Sequence, residues 1–160
     1  MNANEMLVQW WHKNNDQIST KNADESQIVA LENRYSISIP DDFREYLKNA
    51  PAVEDWDAEH GTWWSIDRIK NIPEEYEYIG NNYKGNDLDA LNDLIGQNAH
   101  EHLFFIDFMA WCWAWAINCG QGENRGKVAI IRGGGKDYYV ADSFTEFVTK
   151  YTTNYTSLGP

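Results

Sequence analysis

The chain has 160 residues, of which 42% are hydrophobic and 14% aromatic, with a formal charge of -12 and two cysteines. That length and apolar content suit one domain that buries its own core without staples. The charge speaks against nucleic-acid and anionic-membrane partners, and two thiols supply neither a disulfide framework nor a structural zinc set.

Taken in order, Met6, Leu7, Val8, Trp10 and Trp11 predict an N-terminal helix that ends near Asn14-Asn15-Asp16. Met1 to Lys13 lack a basic segment followed by an apolar run, and no stretch approaches the roughly 20 apolar residues of a membrane span, so a soluble, cytoplasmic protein is expected. A second helix is expected from Asp24, where Asp24-Glu25-Ser26-Gln27 supplies capping chemistry and Ile28, Leu31 and Tyr35 share a face. Pro40 then suits the first turn of a third helix. Asp41 and Asp42 complement its dipole, Phe43, Tyr46 and Leu47 form its apolar side, and Ala50-Pro51 ends it.

Between Ala50 and Glu101 lie twelve acids and three bases, so most of the negative field comes from the middle of the chain. Such a field favours a basic partner through long-range steering. Residues 51 to 62 read as a surface loop leading into a short strand, Trp63 to Ile66. A helix is expected after Pro73, a loop over Gly80 to Asn86, and a short acidic helix around Asp87 to Ile95.

Leu103 to Phe108 and Cys112 to Ile117 predict two paired strands. In this region Trp111, Trp113 and Trp115 alternate with Cys112, Ala114 and Ala116, a period of two that gives one bulky and one small face. Large aromatics bury roughly 150 to 250 Å² each, so this ladder reads as core; a stacking platform for nucleic acid would need adjoining bases that are missing here. Both cysteines are expected to be reduced and buried. Val128 to Ile131, the glycine triplet Gly133 to Gly135 and Tyr138 to Ala141 predict a hairpin. Asp142 or Ser143 then caps a last helix, with Glu146 completing a capping box and Phe144, Phe147, Val148 and Tyr151 as its apolar stripe. The fold class is α+β: an antiparallel sheet of about four or more strands flanked by N-terminal and C-terminal helices.

No catalytic constellation emerges, and no cofactor or metal is expected. His100-Glu101-His102 lacks the one-turn spacing of a helical zinc motif and offers at most an incidental surface site. The glycine triplet precedes a strand rather than a helix, so it does not cradle phosphate. Nothing pairs Cys112 or Cys119 with a histidine as a nucleophile.

Tyr35 to Leu47, with Ile39, Pro40, Asp42, Tyr46 and Leu47 at its centre, resembles the opening signature of the SUKH superfamily, the SMI/KNR-type domain. Trp64 to Ile69 resembles its central strand-to-turn segment, and Val140 to Val148, with Asp142, Ser143, Phe144 and Phe147, resembles its closing strand and helix. The resemblance covers about residues 24–151, leaving 1–23 as a helical extension of a single domain. Two departures are Asn49-Ala50-Pro51 in place of a glycine-rich turn, and Phe108-Met109-Ala110-Trp111 where a hairpin glycine is usual. The resemblance implies a non-catalytic binding protein whose motif residues are mostly structural. In the bacterial branch that is an immunity protein neutralising a toxin domain, often one that targets nucleic acid; in the fungal branch it is a scaffold in cell-wall regulation. For the immunity reading, the expected partner is a cognate protein toxin with a basic active-site cleft. The expected contacts are Glu54, Asp55, Asp57 and Glu59, with Trp56 as aromatic anchor, since loops carry specificity and interface centres favour Trp.

Overall fold

The computed structural model describes residues 1–14, 21–49, 55–80 and 88–160. Three helices come first, α1 (Ala3–Lys13), α2 (Glu25–Tyr35) and α3 (Asp41–Asn49). Local chemistry sets the starts of two of them. Asn2 with Glu5 and Asp24 with Gln27 form reciprocal capping boxes that satisfy orphan N–H groups at the first turn.

Strand β1 (Gly61–Trp63) is followed by α4 (Ile72–Ile79), the four-residue α5 (Asp93–Gly96), and strands β2 (His102–Phe108), β3 (Trp113–Asn118), β4 (Val128–Ile131) and β5 (Tyr138–Ala141), before the closing helix α6 (Phe144–Thr153). The strands form one antiparallel sheet in the order β1-β2-β3-β4-β5. The α+β architecture expected from the sequence is therefore present, with five strands among the described residues. Gly133, Gly134 and Gly135 all take positive φ (76°, 63°, 76°), the conformation a glycine triplet supplies between β4 and β5.

Helices α1, α3 and α6 cover one face. Phe105 meets Phe43, Phe144 and Phe147, Trp63 meets Trp11 and Tyr151, and Trp115 meets Phe147. On the other face Phe104 contacts Trp64, Tyr76 of α4 and Trp111. Ordinary strand alternation sends Phe104 and Phe105 to opposite layers, and the bulge at the register shift between Phe104 and Ile106 keeps Ile106, which pairs with Trp63 and Trp115, on the same side as Phe105. Beyond it, Asp107 accepts hydrogen bonds from Trp64 Nε1 (2.7 Å) and Trp111 N (2.8 Å).

Several boundaries differ from the sequence reading. The first strand is Gly61–Trp63 rather than Trp63 to Ile66, because Ile106 to Phe108 pair with those three residues and Ser65 onward turns toward α4. The acidic helix around Asp87 to Ile95 is split into a 3-10 turn at Leu88–Ala90 and α5, whose cap is Asn92; Asp87 itself lies outside the described residues. Trp111 does not belong to the strand ladder. Met109, Ala110 and Trp111 all have positive φ (44°, 53°, 69°), and this left-handed turn carries Trp111 to the Phe104 and Tyr76 side. Cys112, expected to be buried, is exposed because it closes that turn, its N–H donating to Phe108 O at 2.9 Å; Cys119 is buried. The ends of the loops at Ala50-Pro51 and at Asn81 to Asn86 lie outside the described residues.

Candidate partner-binding surface

The acidic loop before β1 is organised by one of its own acids. Asp57 is 4% exposed, and its carboxylate accepts from Glu59 N (2.9 Å), Gly61 N (3.0 Å), Trp63 Nε1 (2.9 Å) and the Tyr151 hydroxyl (2.7 Å to Oδ2). Its backbone closes the same loop, with Asp57 N donating to Gly61 O and His60 N to Asp57 O. A buried carboxylate is tolerated when it is this fully hydrogen-bonded. Asp57 thus faces the interior, as the anchor of the loop, and does not offer a surface carboxylate as the sequence reading expected.

Its neighbours point outward. Asp55 is exposed, Trp56 is 49% exposed, and Glu59 is half-buried; Glu54 lies outside the described residues. Burial pushes the Glu59 carboxyl above its ordinary range, and the charge of Asp57 adds to the push. The hairpin joining β2 to β3 docks against the loop through Met109 N donating to His60 O at 3.0 Å. Residues from the sheet therefore share this surface. Phe108 and Trp113 are half-buried and Met109 is 40% exposed, and none of the three stood out in the sequence as a contact. Their signal was the alternating ladder, whose terminal rung sits at the rim rather than in the core.

Of the two histidines around Glu101, one holds structure. His102 is buried, with Nδ1 at 2.7 Å from Asn98 O and Nε2 at 2.9 Å from the Tyr139 hydroxyl, while His100 is exposed. The two histidines therefore do not converge on a surface metal site, and among the described residues no group of three or more His, Cys, Asp or Glu could hold a metal ion. Burial lowers the His102 pKa to about 4, against the pull of the Asn98 carbonyl. No helix among the described residues is long and apolar enough to cross a membrane.

The sequence matches the SMI1 / KNR4 family (SUKH-1) over residues 22–150. The chain belongs to that family. No curated protein matches it. In this SUKH-1 chain the signature residues of α3 and α6 meet, Tyr46 against Phe144, while Trp64 packs on Phe104 across the sheet. Ile39, Pro40, Tyr46, Leu47, Trp64, Phe144 and Phe147 are all buried. Asp42 joins the two ends of the signature, its Oδ2 accepting from Thr145 N (2.9 Å) and Oγ1 (3.0 Å) at the first turn of α6. Ser143 caps that helix through Glu146 N (3.0 Å), and Asp142 N donates to Glu146 Oε2 (2.6 Å), so the box is closed one residue earlier than the usual form. The SUKH-1 signature is thus the framework on which the 55–60 loop and the β2–β3 turn are carried.

Proposed function

We propose that this SUKH-1 domain is an immunity-type binding protein that acts in the cytoplasm and neutralises a cognate toxin domain stoichiometrically. The toxin it fits has a basic substrate cleft, as a nuclease or another nucleic-acid-targeting enzyme would. The observation that carries this reading is the loop around Asp57. One buried acid holds it in a fixed shape while Asp55, Trp56 and Glu59 face outward, which is a preorganised acidic surface around an aromatic anchor. Blockade would be steric and electrostatic, with no chemistry on the toxin. The net charge of -12 steers a basic partner toward it and repels that partner's nucleic-acid substrate.

The test is affinity capture of the tagged chain from lysate of its source, at low and high salt, with bound proteins identified by mass spectrometry. A basic toxin domain held in fixed ratio, and inhibited in its own assay by the chain, is the expected result. Several housekeeping proteins without such a toxin would replace this reading with a scaffold.

A further inference from the structure

Four rings meet in succession from the acidic loop onto the sheet. Trp56 and His60 meet edge-on with centroids 5.8 Å apart, as do His60 and Phe108 at 6.3 Å, and Phe108 stacks on Trp113 at 4.0 Å with planes 9° apart. Trp113 meets buried Trp115 edge-on at 6.4 Å, which roots the row in the core. The two ends of the row are fixed differently. Asp57 holds the loop, and the left-handed turn at Met109, Ala110 and Trp111 holds the hairpin, with Trp111 N bound to Asp107 Oδ2. Such backbone persists where the surroundings over-determine it, and it clusters at ligand clamps.

Asp55 and Glu59 are the chain neighbours of Trp56 and His60 at the loop end of the row; among the described residues neither carboxylate is in a salt bridge, and His60 is the base that acts on Glu59. Ring faces carry partial negative charge, so the outer faces of Trp56, Phe108 and Trp113, with two carboxylates outside any salt bridge at the loop end, attract a cation. A purely apolar occupant would bury those carboxylates without compensation, and a nucleic-acid base would bring its phosphates into a negative field. A planar cation satisfies both parts. A guanidinium stacks on an aromatic face and still offers a forked set of N–H donors to a carboxylate, which an ammonium does not.

We infer that the Trp56–His60–Phe108–Trp113 row is the receptor for an arginine-bearing segment of the protein partner, with the guanidinium on the rings and its N–H groups on Asp55 and Glu59. This rests on the proposed function for the choice of a basic partner, and it extends the contact surface from the loop to β2 and β3.

The probe is a blocked Gly-Arg-Gly-Arg-Gly peptide titrated into the full chain, followed by the indole N–H resonances. Peptides with lysine or with uncharged, isosteric citrulline in place of arginine serve as controls. The expected result is a selective shift of the Trp56 and Trp113 indoles, with buried Trp11 and Trp63 unmoved. Citrulline should bind at least about tenfold more weakly and lysine about threefold more weakly. Trp56→Ala and the pair Asp55→Asn with Glu59→Gln should each weaken the arginine peptide by about fivefold, and Trp56 is exposed enough for its loss to leave the fold intact. An equal response to citrulline, or shifts confined to other sites, would overturn the inference. The proposed function fails separately. A captured toxin whose affinity ignores Trp56→Ala and Met109→Ser leaves the immunity reading standing and removes the row, whereas an arginine peptide on the row with no toxin partner does the reverse.

Discussion

The Tyr151 hydroxyl donates to the Asp57 carboxylate across 94 positions of sequence, at 2.7 Å to Oδ2 and 3.0 Å to Oδ1. This contact joins the last helix to the acidic loop inside the core, where burial and the negative charge of Asp57 both hold the phenol proton in place. The loop that is proposed to meet the partner is consequently part of the folding unit, and its shape is coupled to α6.

Replacing Tyr151 by Phe removes that donor while Glu59 N, Gly61 N and Trp63 Nε1 continue to serve the carboxylate. The expected loss is about 1.5 to 3 kcal/mol, the range for a hydrogen bond to a charged group. Asp57→Ala strands several donors at once and should cost more. Urea denaturation measures both, and a Tyr151→Phe protein as stable as the parent would show that the other three donors suffice.

Gly61 is required by the same contact for a steric reason. A Cβ there would fall 2.2 Å from the Tyr151 hydroxyl and 3.0 Å from Ile106 Cδ1. Gly61→Ala must therefore push Tyr151 away from Asp57, and about 2 kcal/mol of destabilisation is expected from overpacking. Because both changes break one hydrogen bond, Gly61→Ala with Tyr151→Phe should cost clearly less than the sum of the two. An additive double mutant would place the strain elsewhere.

Much of this architecture was legible in the sequence because its determinants are local. Asp24 and Gln27 lie three residues apart, Ser143 and Glu146 likewise, and the glycine triplet declares its turn by composition. The features that escaped depend on distant partners. Nothing in a run of acids distinguishes Asp57 from Asp55; the distinction is made by Trp63 and Tyr151. The first strand takes its bounds from Phe108 and Ile106 across the sheet, and Trp111 leaves its ladder through three left-handed residues, none of them a glycine that would have announced a turn. The aromatic row is hidden for the same reason, since Trp56 and Trp113 are joined through His60 and Phe108 only when the β2–β3 turn docks on His60.

His102 makes stability depend on pH. Its pKa falls to about 4 from the ordinary 6.5 of a histidine, chiefly through burial, so the folded state binds a proton less readily than the unfolded chain. The contribution is fully present above the unfolded pKa and is lost as pH falls from about 6.5 toward 4, by up to about 3 kcal/mol at 1.36 kcal/mol per unit. His102→Gln should be less stable at neutral pH and should lack that part of the slope. Denaturation series at pH 7 and pH 4.5 on both proteins check it, and parallel slopes would refute it.

The left-handed turn offers a stabilising substitution. Ala110 sits at φ 53°, a conformation that costs a residue with a Cβ about 1 to 2 kcal/mol, while glycine costs about 0.5 to 1 kcal/mol more entropy on folding. Ala110→Gly should therefore raise stability by about 0.5 to 1 kcal/mol. A fall in the urea midpoint would mean that the alanine methyl makes contacts worth more than the strain.

If the 55–59 loop meets a basic partner, its charges act mainly on the encounter. Asp55→Asn with Glu59→Gln leaves Asp57, and hence the loop's internal hydrogen bonds, in place. Association with the captured partner should slow by about fivefold at low ionic strength and lose much of its salt dependence, while dissociation changes less. Adding Glu54→Gln should extend the trend. Stopped-flow association at several salt concentrations distinguishes the cases, because a loop outside the interface would alter the rate only through the small change in net charge and would leave the salt slope nearly as it was.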